Sequence, residues 1–228
     1  MEEKTREPQY IECVNLRNKE GFTQFGLMSN FVWHSDPKRL VFLLSRYKFV
    51  SKMLSGSKNV IEIGCADAFA SRIVLQEVEN LTVIDFDPLF VKDAQEHMAP
   101  HWKFCCREHD ILEGPYKGEF DGAYALDVIE HIPQAHEELF IHNISSSLTE
   151  HGVLIIGTPS IESQVYASPG SKDGHVNCKE FKQLRDLLIR FFHNVFIFSM
   201  NDEVVHTGFA PMAHYFLAVC CSKRAGTS

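Results

Sequence analysis

The apolar positions of this chain change period several times, and each change predicts an element. Over LVFLLSRYKFVSKML they recur at helical spacing, and Ser35-Asp36-Pro37 ahead of them offers a capping residue and a proline suited to a first turn. A helix is therefore expected from about Asp36 to Leu54, ended by Ser55-Gly56-Ser57. Beyond it, short apolar runs alternate with helical spacing: strands are predicted at 59–64, 81–85, 103–110, 118–127 and 152–159, and helices at 67–79, 88–98 and 135–148. That alternation predicts a doubly wound, mainly parallel α/β sheet. The end departs from it, because a helix over 178–192 is followed by NVFIFSM (194–200) and HYFLAVCC (214–221) with only a loop between them. Two such strands predict an antiparallel hairpin completing a seven-stranded sheet. Residues 1–35 are polar, dotted with aromatics and without clear period, and read as a lid or cap on a domain spanning 36–224.

Composition narrows the class. The 228 residues, 45% of them hydrophobic, suffice for one sizeable core with appendages. Thirty acidic against 22 basic residues give a net charge of −8, which argues against a non-specific grip on nucleic acid or an anionic membrane. No run approaches the roughly 20 apolar residues that span a bilayer, and the start, Met1-Glu-Glu-Lys-Thr-Arg-Glu, is too polar for a secretion signal. Seven cysteines include the adjacent pairs Cys105-Cys106 and Cys220-Cys221 in strand-like runs, where neighbours point to opposite faces. Reduced, mostly buried thiols in a cytoplasmic protein are the expectation.

In a doubly wound sheet, ligands bind at the carboxyl ends of the strands, so the strand-to-helix turns carry the chemistry. The first reads Gly64-Cys-Ala-Asp-Ala, where Gly64 permits a tight turn and the small Cys65 and Ala66 keep an approach open. It lacks the second and third glycines of a dinucleotide cradle, and the nicotinamide reading fails there. Glu62 lies mid-strand, either bonded to backbone amides or near a cationic amino group. Asp85 follows Gly64 at the roughly 20-residue offset of a ribose-binding carboxylate, with helix capping as its alternative and Asp87 before Pro88 the better cap. Phe86 can stack on a purine or simply pack, and Asp110 beside Ile111 can accept from an exocyclic amine. The fourth strand ends Leu126-Asp127-Val-Ile-Glu130-His131; as a helical turn, 127–131 would put Asp127, Glu130 and His131 on one face, for general-base or metal chemistry or as a solvated helix start.

Taken in order, these turns resemble the class I S-adenosylmethionine-dependent methyltransferases over roughly residues 36–221. The resemblance implies the Rossmann-like fold of that family and S-adenosyl-L-methionine as cofactor. It places Gly64 against the methionyl part and Asp85 at the ribose, with Glu62, Cys65 and Ala66 also among the cofactor-binding residues. Phe86, Asp110 and Ile111 would lie at the adenine, with Leu126 and Asp127 beneath the sulfonium. The chain departs from the family's G-x-G-x-G, keeping one glycine of three. A narrower similarity is to members with an E-x-x-E-H turn, notably ubiquinone-pathway O-methyltransferases and small-RNA 2′-O-methyltransferases, in which acids and histidines hold a divalent cation. Here the turn is Asp127-Val-Ile-Glu130-His131, with His175 downstream. No metal is expected at the shortened turn; a bound one would take Asp127, Glu130, His131 and His175, with Mg²⁺ the suited cation.

His131, Glu130 and His175 are the candidate catalytic residues, His131 as base. The stretch 158–177 reads as an acceptor loop or a plain surface loop, with Tyr166 and, from the lid, Trp33 and His34 as candidate substrate contacts. The expected activity is methyl transfer to a small molecule, an oxygen acceptor favoured, without nucleic acid or membrane. Methylation of RNA or protein, or a non-catalytic cofactor-binding module, are the alternatives. The oligomeric state is not encoded in these motifs.

Overall fold

The computed structural model describes residues 5–99 and 101–225, so residues 1–4 of the expected lid lie outside the described residues. Two helices, α1 (Ile11–Glu20) and α2 (Leu27–Ser35), occupy the segment in which the sequence shows no clear period. They escaped the pattern because α1 buries none of its residues and α2 only Ser29 and Val32, which leaves almost no apolar stripe to read. Helix α3 (Lys38–Met53) follows as expected, with Pro37 at its N-cap. Then come β1 (Asn59–Ile63), α4 (Ser71–Leu75), β2 (Asn80–Asp85), α5 (Pro88–Glu96), β3 (Cys105–Glu108), β4 (Phe120–Leu126), α6 (Glu137–Ser146) and β5 (Leu148–Pro159). Asp87 caps α5, its carboxylate accepting the Leu89 N–H at 2.8 Å.

The helix expected over 67–79 shrinks to five residues. Ala66 and Ala68 take left-handed backbone conformations, and the Phe69 N–H turns back onto the Asp67 side chain, so the chain cannot enter a helix until Ser71. After β5 comes a short 3₁₀ turn at Glu162–Tyr166 and then α7 (Pro169–Gly174), so the segment expected to be a loop is partly helical. The chain ends with α8 (Phe181–Leu188), β6 (Phe192–Asn201), β7 (Val204–His206) and β8 (Tyr215–Lys223).

The sheet has eight strands in the order β3-β2-β1-β4-β5-β8-β6-β7. Strands β3 to β5 run parallel, while β8 is antiparallel to both β5 and β6. The eighth strand corrects the expected seven: three-residue β7 pairs with the end of β6 at the sheet edge, too short to show a period of its own. Both faces are covered, and the two-residue period of the strands sorts their side chains. In β8, Phe216, Ala218 and Cys220 pack with α6 and α8 on one face, while Leu217 and Val219 pack with α3, α4 and α5 on the other. Cys105 and Cys106 divide between half-buried and buried as adjacent strand residues should, and all seven cysteines are free. No helix among the described residues is long and apolar enough to cross a membrane.

Candidate active site

The strand order reverses between β1 and β4, which opens a crevice over their carboxyl ends. Gly64 makes the first turn there at φ +72°, and a Cβ at this position would sit 2.6 Å from a methyl of Val128. Ala66 at φ 46° and Ala68 at φ 51° repeat the left-handed conformation, so the loop has the backbone of a three-glycine turn with alanine at two of the places. Left-handed alanine costs about 1–2 kcal/mol, against about 0.4–1 kcal/mol that it gains over glycine by restricting the unfolded chain. Ala66→Gly should therefore stabilise by about 0.5–1 kcal/mol and raise Tm by roughly 1–4 °C. Ala68→Gly should be near neutral, because Ala68 is buried and its methyl contributes about 0.8 kcal/mol to the core. A calorimetric scan of the two variants tests both; a Tm lowered by Ala66→Gly would deny the strain.

Asp85, only 7% exposed, ties this loop to the end of β2. One carboxylate oxygen accepts the Ala66 N–H at 2.9 Å and the other the Asp87 N–H at 3.0 Å. Phe86 beside it is 70% exposed on the rim. Asp110 accepts the Leu112 N–H at 2.8 Å, and the buried Ile111 offers its carbonyl to the Asn143 side chain at 2.7 Å. Cys65 is buried, and Leu126 closes the floor at the end of β4.

Glu62 meets neither backbone amides nor a cation. Its carboxylate accepts from the hydroxyls of Tyr47, Ser71 and Tyr124 at 2.6, 2.5 and 2.7 Å. Burial pushes its pKa up to about 7 despite those donors. Because the folded chain binds this proton more tightly than the unfolded one, stability should fall as pH rises from about 4.5 to 7 and level off above, by up to about 3 kcal/mol. Glu62→Gln, with no proton to lose, should flatten that part of a denaturant-measured stability profile; parallel profiles for the two proteins would refute the shift.

The turn after β4 is not one helical face. Asp127 stands at φ 57° and the following residues form a 3₁₀ turn over Ile129–His131, so its three polar side chains diverge. Asp127 turns to Arg46 of α3, whose Nη1 lies 2.9 and 2.7 Å from the two carboxylate oxygens. The Arg46 guanidinium also stacks 3.7 Å from the ring centre of Tyr215. Burial opposes its charge, yet Asp127, Tyr215 and Glu130 hold it above its usual range. Glu130 points inward, with one oxygen 3.1 Å from the Thr158 hydroxyl; burial and then the charge of Asp127 raise its pKa well above the carboxylate range. Among the described residues, Arg46 Nε, Tyr215 Oη and Glu130 Oε1 are buried here without a hydrogen-bond partner. Such groups are expensive to leave unmet, and a ligand is one way to meet them.

His131 faces outward. Its Nδ1 lies 2.8 Å from the Gly174 carbonyl, so Nδ1 is the donor, and in the neutral tautomer this fixes, Nε2 presents the lone pair. His175 is placed the same way: Nδ1 lies 2.8 Å from Gln164 Oε1, and the amide nitrogen of Gln164 is spent on Ser160 and Ser163, which turns its oxygen to the ring. The two imidazoles meet edge to face at 5.1 Å, and burial followed by the neighbouring His131 lowers the pKa of His175. Ligand atoms of Glu130, His131 and His175 all lie within 4.8 Å of one another. Of the four residues named as possible ligands, three come together, since Asp127 is committed to Arg46. Trp33 packs on Phe25 within the lid, His34 is exposed, and Tyr166 is 91% exposed, so none of the three joins this group.

Arg46, Tyr215 and Thr158 belong to the site and were not singled out from the sequence. Arg46 carried a signal: it follows Leu43 by three residues and precedes Val50 by four, a charge on the buried stripe of α3. Tyr215 carried none, being one apolar residue among several in β8. The N-terminal segment is tied to the sheet side through Asp67 and Asp93, which accept the N–H groups of Ser29 and Leu27 at the start of α2 at 2.6 and 2.7 Å. Gly26 permits that approach, since a Cβ there would collide with Asp67.

Residues 60–152 match the family described as a methyltransferase domain. A ubiquinone biosynthesis O-methyltransferase from Xanthomonas axonopodis pv. citri is 24% identical over 156 residues, which cover 65% of this chain and 64% of that protein, just under two thirds of its length. Among solved structures, the N-methyltransferase NodS from Bradyrhizobium japonicum WM9, in complex with S-adenosyl-L-homocysteine, superposes with a TM-score of 0.61 at 20% identity, covering 85% of this chain and 92% of its own. A TehB-like SAM-dependent methyltransferase from Corynebacterium glutamicum gives 0.62 at 14% identity, covering 95% of this chain and 100% of its own. The chain thus carries a methyltransferase-domain match over residues 60–152 and shares the fold of solved S-adenosylmethionine-dependent methyltransferases.

Proposed function

We propose that this protein transfers the methyl group of S-adenosylmethionine to an oxygen of a small molecule, a hydroxyl or a carboxylate, with Nε2 of His131 as the base. The observation that carries the reading is the pair of imidazoles whose Nδ1 protons are both spent on fixed oxygens, leaving a bare Nε2 on each at the rim of the crevice. A neutral imidazole so oriented can take the proton of an approaching hydroxyl.

The residues present fit the cofactor. The left-handed turn at 64–68 keeps side chains away from a ligand's path, and Asp85 is positioned for ribose hydroxyls. Phe86, Asp110 and Ile111 line the end suited to the base, and Leu126 the floor. The unmet Arg46 Nε is suited to a carboxylate such as the methionyl end carries. The cofactor supplies an already activated methyl group on a sulfonium, and the protein's task is to align, to exclude water and to take a proton. Glu130, whose burial disfavours its charged form, then acts as a hydrogen-bonding wall, and His175 holds its place beside His131.

A second reading has a divalent cation at the same turn, favoured by the unmet Glu130 Oε1 and the two bare Nε2 atoms. His131, His175 and Glu130 would hold it, without Asp127, and it would supply a lowered pKa for the acceptor hydroxyl. A thermal shift with Mg²⁺ or Mn²⁺ that disappears in Glu130→Gln would support this reading, and no shift with either cation would end it.

The curated relative is named for oxygen methylation and NodS for nitrogen, so the two divide on the acceptor, and the histidine base favours oxygen. The net charge of −8 weighs against an RNA acceptor, and seven free thiols suit the cytoplasm. Transfer from labelled S-adenosylmethionine to pools of phenols, sugars, carboxylic acids, amines and peptides tests the proposal. Labelling of amines or peptides alone would overturn it, and tight cofactor binding without labelling of any pool would make the chain a binding module.

A further inference from the structure

We infer that Lys179 is a positioning residue of this site: with Glu137 and Asn177 it forms a buried clasp that sets the placement and tautomer of His131. The inference rests on the reading of that ring as the base.

The segment between β5 and α8 leaves the sheet and returns at one point. Ser160 and Lys179 form a parallel backbone bridge, and the Ile161 N–H donates to the Lys179 carbonyl at 3.0 Å, which closes the neck of the loop. At that neck the Lys179 side chain is only 5% exposed, an unusual place for an ammonium. Its Nζ meets the carboxylate of Glu137, from the first turn of α6, and Asn177 Oδ1 at 2.6 Å. Asn177 Nδ2 donates to the same Glu137 oxygen at 3.0 Å, so the three side chains form a closed triangle that orients the amide unambiguously.

The backbone of Asn177 is what the triangle holds. The N–H groups of Val176 and Asn177 both donate to the Glu130 carbonyl at 2.9 Å, and the Gly174 carbonyl receives His131 Nδ1 at 2.8 Å. Residues 174–177 are therefore a strip of chain laid against the Glu130-His131 turn, and the clasp anchors one end of it. An apolar residue at position 179 would pack in the same volume but could not orient Asn177. That requirement explains a charge kept where burial disfavours one.

The test uses the whole chain and the side-chain nitrogen resonances of its histidines, which report the tautomer. Lys179→Met alone leaves the half-buried Glu137 carboxylate with Asn177 but without its cation, so the informative protein is Lys179→Met with Glu137→Leu, which removes both charges together. The wild type should show protonated Nδ1 at His131 and His175. The double variant should unfold cooperatively and bind S-adenosylhomocysteine within about twofold of wild type, because Asp85 and the 64–68 turn are untouched. It should lose the fixed Nδ1–H signature at His131, and kcat on any acceptor found should fall by about tenfold to a hundredfold at unchanged cofactor KM. Wild-type rings without that tautomer would overturn the reading of the base and the clasp together. Wild-type rings as described, retained in the folded double variant, would overturn the clasp alone.

Discussion

Replacing Asp85 by alanine is expected to raise the dissociation constant for S-adenosylhomocysteine by about 10²- to 10⁴-fold. The carboxylate is held by the N–H groups of Ala66 and Asp87 at 2.9 and 3.0 Å, and each oxygen keeps a lone pair for a ribose hydroxyl. Hydrogen bonds to a charged group contribute about 1.5–3 kcal/mol each, and losing two from the ligand gives about 3–6 kcal/mol. The alanine variant also frees the loop amide of Ala66, a residue itself held in a left-handed conformation that its side chain disfavours. Asp85→Asn should fall between, since an amide oxygen can serve one side only. Titration calorimetry with S-adenosylhomocysteine decides it: an alanine variant within threefold of wild type would place the ribose elsewhere.

His131→Ala should lower kcat by about 10²- to 10⁴-fold, the usual contribution of a positioned base, while cofactor affinity stays within about twofold. The asymmetry follows from its surroundings. His131 touches the Gly174 carbonyl and the ring of His175, whereas Asp85 bonds the loop amide of Ala66. A parallel fall in turnover and in S-adenosylhomocysteine affinity would make the ring structural. His175→Ala should produce a smaller fall, because its removal loosens His131 without removing a base.

The strands were legible because both faces of this sheet are buried, and continuous apolar runs such as NVIEI and YFLAV mark themselves against polar turns. The strand-end turns were legible for the same reason: a turn at a strand end is named by its position in the alternation, so Gly64, Asp85, Asp110 and Asp127 could be placed on the sheet's carboxyl rim before any contact was known. Helices α1 and α2 were not legible, since a helix that buries almost nothing leaves no period. Nor was the short β7, or the shortening of the helix after β1 by two left-handed alanines.

The direction of each side chain at the turn after β4 belonged to the tertiary structure. Helical spacing would have kept Asp127, Glu130 and His131 together; the left-handed backbone at Asp127 sends one to Arg46, one into the core and one to the rim. Arg46 lies 81 positions from Asp127, and Tyr215 lies further still along the chain. His175 meets His131 only because a loop closes at Lys179. Period and turn chemistry act between near neighbours, so the sequence by itself determined the sheet, its class and the rim that would carry chemistry. Which donors and acceptors meet across that rim depends on groups brought together by packing, and only the folded chain decides which of them are left unmet for a ligand.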